Sequence, residues 1–108
     1  MYEYSAVIVR VVDGDTLHLD VNLGLDVYVK TIVRLYGLNA PELSTAAGKV
    51  ARQFVLDWVT SYGAAVSIIT VKDKREKYGR YLATVYSPSL LNLNQMLLDS
   101  GNAVVYLP

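Results

Sequence analysis

A mixed α+β fold that is mainly β, a five-stranded Greek-key barrel with two helices, is predicted by three observations. Short runs rich in β-branched and aliphatic residues fill positions 4–36, 65–71 and 81–86, several with two-residue alternation. One segment between them, around residues 45–61, instead repeats its apolar residues every three or four positions. Gly, Pro, Asn and Asp punctuate the boundaries. A chain of 108 residues is one domain, residues 1–108, long enough to bury a single core.

Tyr4 to Val12 reads as the first strand, with Val7, Val9 and Val11 on one face. Asp13-Gly14-Asp15-Thr16 follows as a tight hairpin turn, since an Asp-Gly step favours positive φ. In the second strand Leu17, Leu19 and Val21 form one face and Thr16, His18 and Asp20 the other. The single histidine thus falls on the polar side, and with no second His or Cys at ligand spacing it reads as a surface residue. A third strand, Val27 to Tyr36, sets Val27, Val29, Val33 and Leu35 against Tyr28, Lys30, Ile32, Arg34 and Tyr36. Arg34 then points away from the core, towards the turn at Asn39 to Glu42, where Pro41 restricts Ala40 to extended geometry.

Ser44 or Thr45 caps a helix running to about Ser61, whose stripe of Val50, Phe54 and Trp58 with Ala51, Val55 and Val59 is core packing, and Gly63 ends it. Ala65 to Val71 and Tyr81 to Tyr86 are the fourth and fifth strands. Asn92 caps a second helix from about Leu93 to Ser100, Gly101 terminates it, and Ala103 to Leu107 continues as an apolar tail. Three strands, a helix, two strands and a helix is the order of an OB-type barrel, a class that binds oligonucleotides on one open face.

Hydrophobic residues at 53% and charged residues at 19% exclude a disordered chain, and the absence of cysteine excludes disulfides and thiolate chemistry. Met1 to Tyr4 lacks the pattern of a signal peptide, and no apolar stretch approaches the roughly 18 residues of a membrane span, so a soluble chain without a membrane partner is expected. Ten basic residues balance ten acidic ones, which argues against coating nucleic acid through a general basic surface. Locally the balance differs: Lys72, Lys74, Arg75, Lys77 and Arg80 stand against Asp73 and Glu76. That run is either a solvated hairpin or a phosphate-facing rim.

Asp13 to Thr16 also admits two readings, a turn alone or a turn whose second carboxylate is aimed at a hard cation. Further on, Arg34-Leu35-Tyr36-Gly37-Leu38-Asn39-Ala40-Pro41-Glu42, Lys77-Tyr78-Gly79-Arg80 and Leu93 to Ala103 follow in order. Together with Asp13 to Thr16 these motifs resemble the staphylococcal nuclease (thermonuclease) family over nearly the whole chain. The family carries one more C-terminal helix, for which this sequence shows no counterpart.

The resemblance implies a largely sequence-nonspecific nuclease cutting single-stranded or frayed DNA and RNA with one calcium ion. It assigns Asp15, Asn39 and the Ala40 backbone carbonyl to the metal, with Asp13 orienting metal-bound water. Arg34, Glu42 and Arg80 become the catalytic residues, Lys77 and Tyr78 contact a neighbouring phosphate, and Tyr106 aligns with the aromatic base pocket. Asn39 departs from the family, which most often has Asp there; the amide keeps an oxygen donor but removes a negative charge. The connection after Glu42 is short. An alternative is therefore a catalytically inactive nuclease-like barrel that binds nucleic acid or a protein partner, and a third is a structural oligomerisation domain. A monomer is the default expectation.

Overall fold

Leu17, Leu19 and Val21 are buried while Thr16, His18 and Asp20 are half-exposed, so the two-residue period places the second strand as expected. The computed structural model describes residues 2–72 and 81–106. Along it run β1 (Tyr2–Asp13), β2 (Thr16–Gly24), β3 (Val27–Leu35), β4 (Leu38–Asn39), α1 (Ala46–Tyr62), β5 (Ala65–Lys72), β6 (Tyr81–Tyr86), α2 (Leu93–Asp99) and β7 (Val104–Val105). Five strands close a barrel in the order β1-β2-β3-β6-β5, with β5 returning to β1. All neighbours are antiparallel except β3 and β6, which pair in parallel over Val33 to Leu35. The mainly β barrel with two helices is the architecture expected of the OB type.

The face predicted for β1 is corrected. Ala6 and Ile8 point inward, Val7 and Val9 are 44% and 60% exposed, and Val11 is back in the core. A register shift between Ile8 and Arg10 supplies the reason: the extra residue breaks the period of two, so side chains before and after it share a face at odd spacing. Since Ala6, Val7, Ile8 and Val9 are all apolar, alternation alone had no polar residue to mark the outside.

In β3 only Val33 and Leu35 of the predicted inner face are buried; Val27 and Val29 are exposed, and the β3–β6 pairs among the described residues run from Val33 to Leu35. Thr45 caps α1, its Oγ1 accepting the Gly48 N–H at 3.0 Å. The buried stripe of α1 is Gly48, Ala51, Val55 and Trp58, so Val50, at 59% exposure, does not belong to it. Asn92 caps α2 through its side chain, which accepts from Gln95 N–H, and Leu93 and Leu97 seat that helix in the core. Among the described residues no helix is long and apolar enough to cross a membrane.

Two short elements were not anticipated. The segment read as an apolar tail forms β7, which pairs antiparallel with β4 as Leu38 with Val105 and Asn39 with Val104. Leu107 lies outside the described residues. Buried Asn94 on α2 joins three backbones: its Nδ2 donates to the carbonyls of Tyr36 and Ala83, and its Oδ1 accepts Val85 N–H at 3.1 Å. One amide thereby ties the end of β3 and two points along β6 to α2.

Candidate active site

The β1–β2 turn is shaped by space. Asp13 pairs with Thr16 around Gly14 and Asp15, and Asp13 Oδ1 accepts the Asp15 N–H at 3.0 Å. Gly14 does not have the positive φ expected of an Asp-Gly step; instead a Cβ there would stand 2.8 Å from the Cβ atoms of both Ala40 and Ala51. Glycine thus lets the turn lie against the segment after β4 and against α1. That approach brings Asp15 Oδ2 to the Ala40 N–H at 3.0 Å, while Thr16 Oγ1 donates to Oδ1 at 3.1 Å.

Asp15 is 8% exposed, yet its charge is only partly answered. Arg34 Nη2 stands 3.8 Å from Asp15 Oδ2 and donates a hydrogen bond to Asn39 Oδ1. Tyr106, carried on from β7 and held by its N–H on the Gly37 carbonyl at 2.9 Å, sets its ring 5.8 Å from Arg34 Cζ. One guanidinium therefore meets a carboxylate, an amide oxygen and an aromatic face, contacts that its planar, always charged fork suits. The β1–β2 turn, β4 and the segment after β7 thus converge on this one side chain of β3.

Burial above all, then a hydrogen bond and the like charge of Asp13, raise the Asp15 carboxyl from its ordinary 3.8, against the opposite pull of the Ala40 N–H and Arg34. Because the folded chain keeps this proton where the unfolded chain has lost it, stability falls as pH climbs from 3.8 through the raised value. The cost is fully present above that. Asp15→Asn is expected to flatten the descent and to unfold at higher urea than the parent at neutral pH. Urea melts at stepped pH check this; an unaltered slope in the variant would contradict it.

The side-chain donors around this point are all oxygens: the carboxylates of Asp13 and Asp15 and the amide oxygen of Asn39. Such a set suits a hard divalent cation, and a buried carboxylate short of positive charge is an observation in its favour. Among the described residues no three His, Cys, Asp or Glu side chains gather to hold a metal, so the set is lean in charge. Asn39 Oδ1 also serves Arg34, which a cation would have to share.

The structure brings together Asp13, Asp15, Arg34, Asn39, Ala40 and Tyr106. The Glu42 side chain is exposed and is not tied to this cluster; what is fixed is its carbonyl, which accepts from Thr45 N–H at 3.0 Å and Thr45 Oγ1 at 2.6 Å. Arg80, Lys77 and Tyr78 lie outside the described residues, as do Lys74 and Arg75 of the basic run. Two contributors went unassigned in the sequence. Thr16 is the hydroxyl on the Asp15 carboxylate, and its place beside an Asp at a strand start was the available signal. Asn94, which lies within the Leu93 to Ala103 motif, donates to the Tyr36 carbonyl next to the site.

A sequence profile described as staphylococcal nuclease homologue matches residues 32–107, the stretch that contains Arg34, Asn39, Glu42 and Tyr106. The chain belongs to that family. As a staphylococcal nuclease homologue it is 32% identical over 99 residues to an uncharacterized endonuclease of Escherichia coli, covering 92% of this chain and 59% of the relative. It is also 32% identical over 113 residues to a micrococcal nuclease of Shigella flexneri, covering 96% of this chain and 59% of that protein. Endonuclease YhcR of Bacillus subtilis matches at 31% over 115 residues, 96% of this chain but 9% of its own length. This homologue thus spans about three fifths of the first two relatives and a small part of the third.

Proposed function

We propose that this chain hydrolyses phosphodiester bonds of single-stranded or frayed DNA and RNA, with little sequence preference and with one calcium ion. The observation that carries the reading is Arg34 held between buried Asp15, Asn39 and the Tyr106 ring. Membership of a family whose relatives are named endonuclease and micrococcal nuclease supports it.

A phosphodiester resists attack because nucleophile and phosphoryl oxygens are both negative, so positive charge must stand where charge develops. Arg34 offers two parallel N–H groups to phosphate oxygens, and its present contacts hold the guanidinium in place before substrate arrives. Glu42, exposed at the head of α1, is the base that takes the proton of the attacking water. Tyr106 offers a ring for an unstacked base next to the phosphate, a contact that reads no base-pair edge. By their match to the family, Arg80 adds a second guanidinium, and Lys77 and Tyr78 a grip on a neighbouring phosphate. By the same match, Asp15, Asn39 and the Ala40 carbonyl would hold the calcium ion, with Asp13 orienting water, and the ion would supply Lewis-acid stabilisation of the phosphate charge.

Hydrolysis of heat-denatured DNA and of RNA in millimolar calcium, beside excess chelator, tests this. Activity is expected only with the ion, and Glu42→Gln is expected to lower it about a hundredfold or more. Calcium-independent cleavage, or a fully active Glu42→Gln, would overturn the assignment. A second reading, an inactive barrel that binds nucleic acid or a protein partner, is favoured by one observation: position 39 lends its only side-chain oxygen to Arg34 and carries no charge. An intact but inactive parent that gains hydrolysis on Asn39→Asp would show that this ligand alone decides between the two.

A further inference from the structure

The outward face of β1, β2 and β3 is ordered in four rows of directly paired residues. The first, Asp13, Thr16 and Arg34, belongs to the site. Beyond it come Arg10, His18 and Ile32, then Val7, Asp20 and Lys30, then Ser5, Asn22 and Tyr28. Along β3 the outward residues are therefore Tyr28, Lys30, Ile32, Arg34, with Tyr36 next, so that rings and cations alternate with one aliphatic side chain. Tyr28 is 60% exposed, and Val7, Ile32 and Tyr36 are exposed as well. At the far end the face opens into a groove of about 370 Å³ lined among others by Ser5, Asp20, Asn22, Tyr28 and Ser67, with Pro88 from the turn before α2.

We propose that this face is an extended binding site for the single-stranded polynucleotide beyond the cut phosphate, ending in a base subsite at Tyr28. The proposal rests on the nuclease reading above and adds to it the direction of the strand. Arg10, His18 and Lys30 supply N–H donors to successive phosphates, and Arg10 and His18 stand side by side on neighbouring strands. Tyr28 supplies the stacking surface, which every base can use, and Asn22, Ser5 and Ser67 offer hydrogen bonds to a base edge. Asp20 is the one acid within these outer rows; opposite Lys30 it opposes phosphate but can accept from a base amino group. From Arg34 to Tyr28 the six-residue step spans about 20 Å at roughly 3.3 Å per residue. That corresponds to about six nucleotides at the 3.4 Å rise of a stacked strand, and fewer in an extended one.

The test is binding of labelled oligothymidylates of about two and about eight nucleotides, in excess chelator, followed by anisotropy across a salt series. The parent is expected to prefer the longer strand by about tenfold or more. The Tyr28→Ala, Lys30→Ala double variant is expected to lose most of that preference, and Lys30→Glu to reverse it further. Arg10→Ala alone is expected to reduce the log–log salt slope for the longer strand by about 0.7, one phosphate contact on a single strand. Thermal melts check that each variant is folded. Variants with the parent's length preference and salt slope overturn the extended site; if the parent still cuts denatured DNA, the nuclease reading survives that result. A folded parent that neither binds nor cuts any strand overturns both.

Discussion

Arg34→Ala is expected to lower phosphodiester hydrolysis by about 10²- to 10³-fold, the scale on which loss of one preorganised charge donor acts. The same change leaves Asp15 without its nearest cation and Asn39 Oδ1 without its donor, and it removes the charge above the Tyr106 ring. Loss of activity should therefore be accompanied by a further upward move of the Asp15 carboxyl, since the one charge that lowers it is gone. Arg34→Lys should recover little. An ammonium is a point charge on a flexible stem and cannot hold carboxylate, amide and phosphate in one plane. Steady-state kinetics on denatured DNA, with circular dichroism to confirm the barrel, decide the matter. A nearly active Arg34→Ala would mean that the convergence on this guanidinium serves the fold alone.

Gly48→Ala is expected to be the most damaging small substitution in α1. At an ordinary helical position the change to alanine stabilises by about 1 kcal/mol. Here the new Cβ would meet the Glu42 carbonyl oxygen at 1.8 Å, its carbon at 2.4 Å and Leu43 Cα at 2.9 Å. All three are backbone, and the same carbonyl is already gripped by Thr45. No side-chain rotation relieves the clash, so the first turn of α1 or the Glu42 turn must move. A loss of about 2–4 kcal/mol follows, roughly 10 °C or more in melting temperature for a domain of this size. Because Glu42 sits at the point of collision, whatever remains folded should also cleave poorly. A melting temperature equal to or above that of the parent would show that the helix start can yield.

Where polar and apolar residues alternate, as from Thr16 to Val21, the sequence settles which side faces the core, because each outward position carries a group that prefers water. The caps were legible for a similar reason, Asn92 by itself and Thr45 as one of two candidates with Ser44: their side chains offer oxygen where a helix leaves N–H groups without partners. β1 was not, since Ala6 to Val9 is apolar on both faces and a one-residue bulge decides the outcome. β4 and β7 escaped because each has two residues and becomes a strand only by meeting a segment some 65 positions away, a contact no local period encodes. At the site, the motifs named Asp13, Asp15, Arg34, Asn39, Ala40 and Tyr106, which the structure brings together, but not their company. That Gly14 is needed for closeness to Ala40 and Ala51, or that Asn39 hands its oxygen to Arg34, depends on how separate segments pack.

The clasp between β4 and β7 has a thermodynamic meaning of its own. Asn39 reaches Arg34 from β4 and Tyr106 reaches it from the β7 side, so the two halves of the clasp flank one guanidinium. A ladder of two residues belongs to the low end of the range of local opening free energies. Any ligand that grips Arg34 and Tyr106 together selects molecules in which the clasp is shut, and its apparent affinity is the intrinsic one scaled by that closed fraction. On the nuclease reading, binding strength at this centre would depend in part on exposed Val104 and Val105, whose pairing with β4 carries Tyr106 to Arg34.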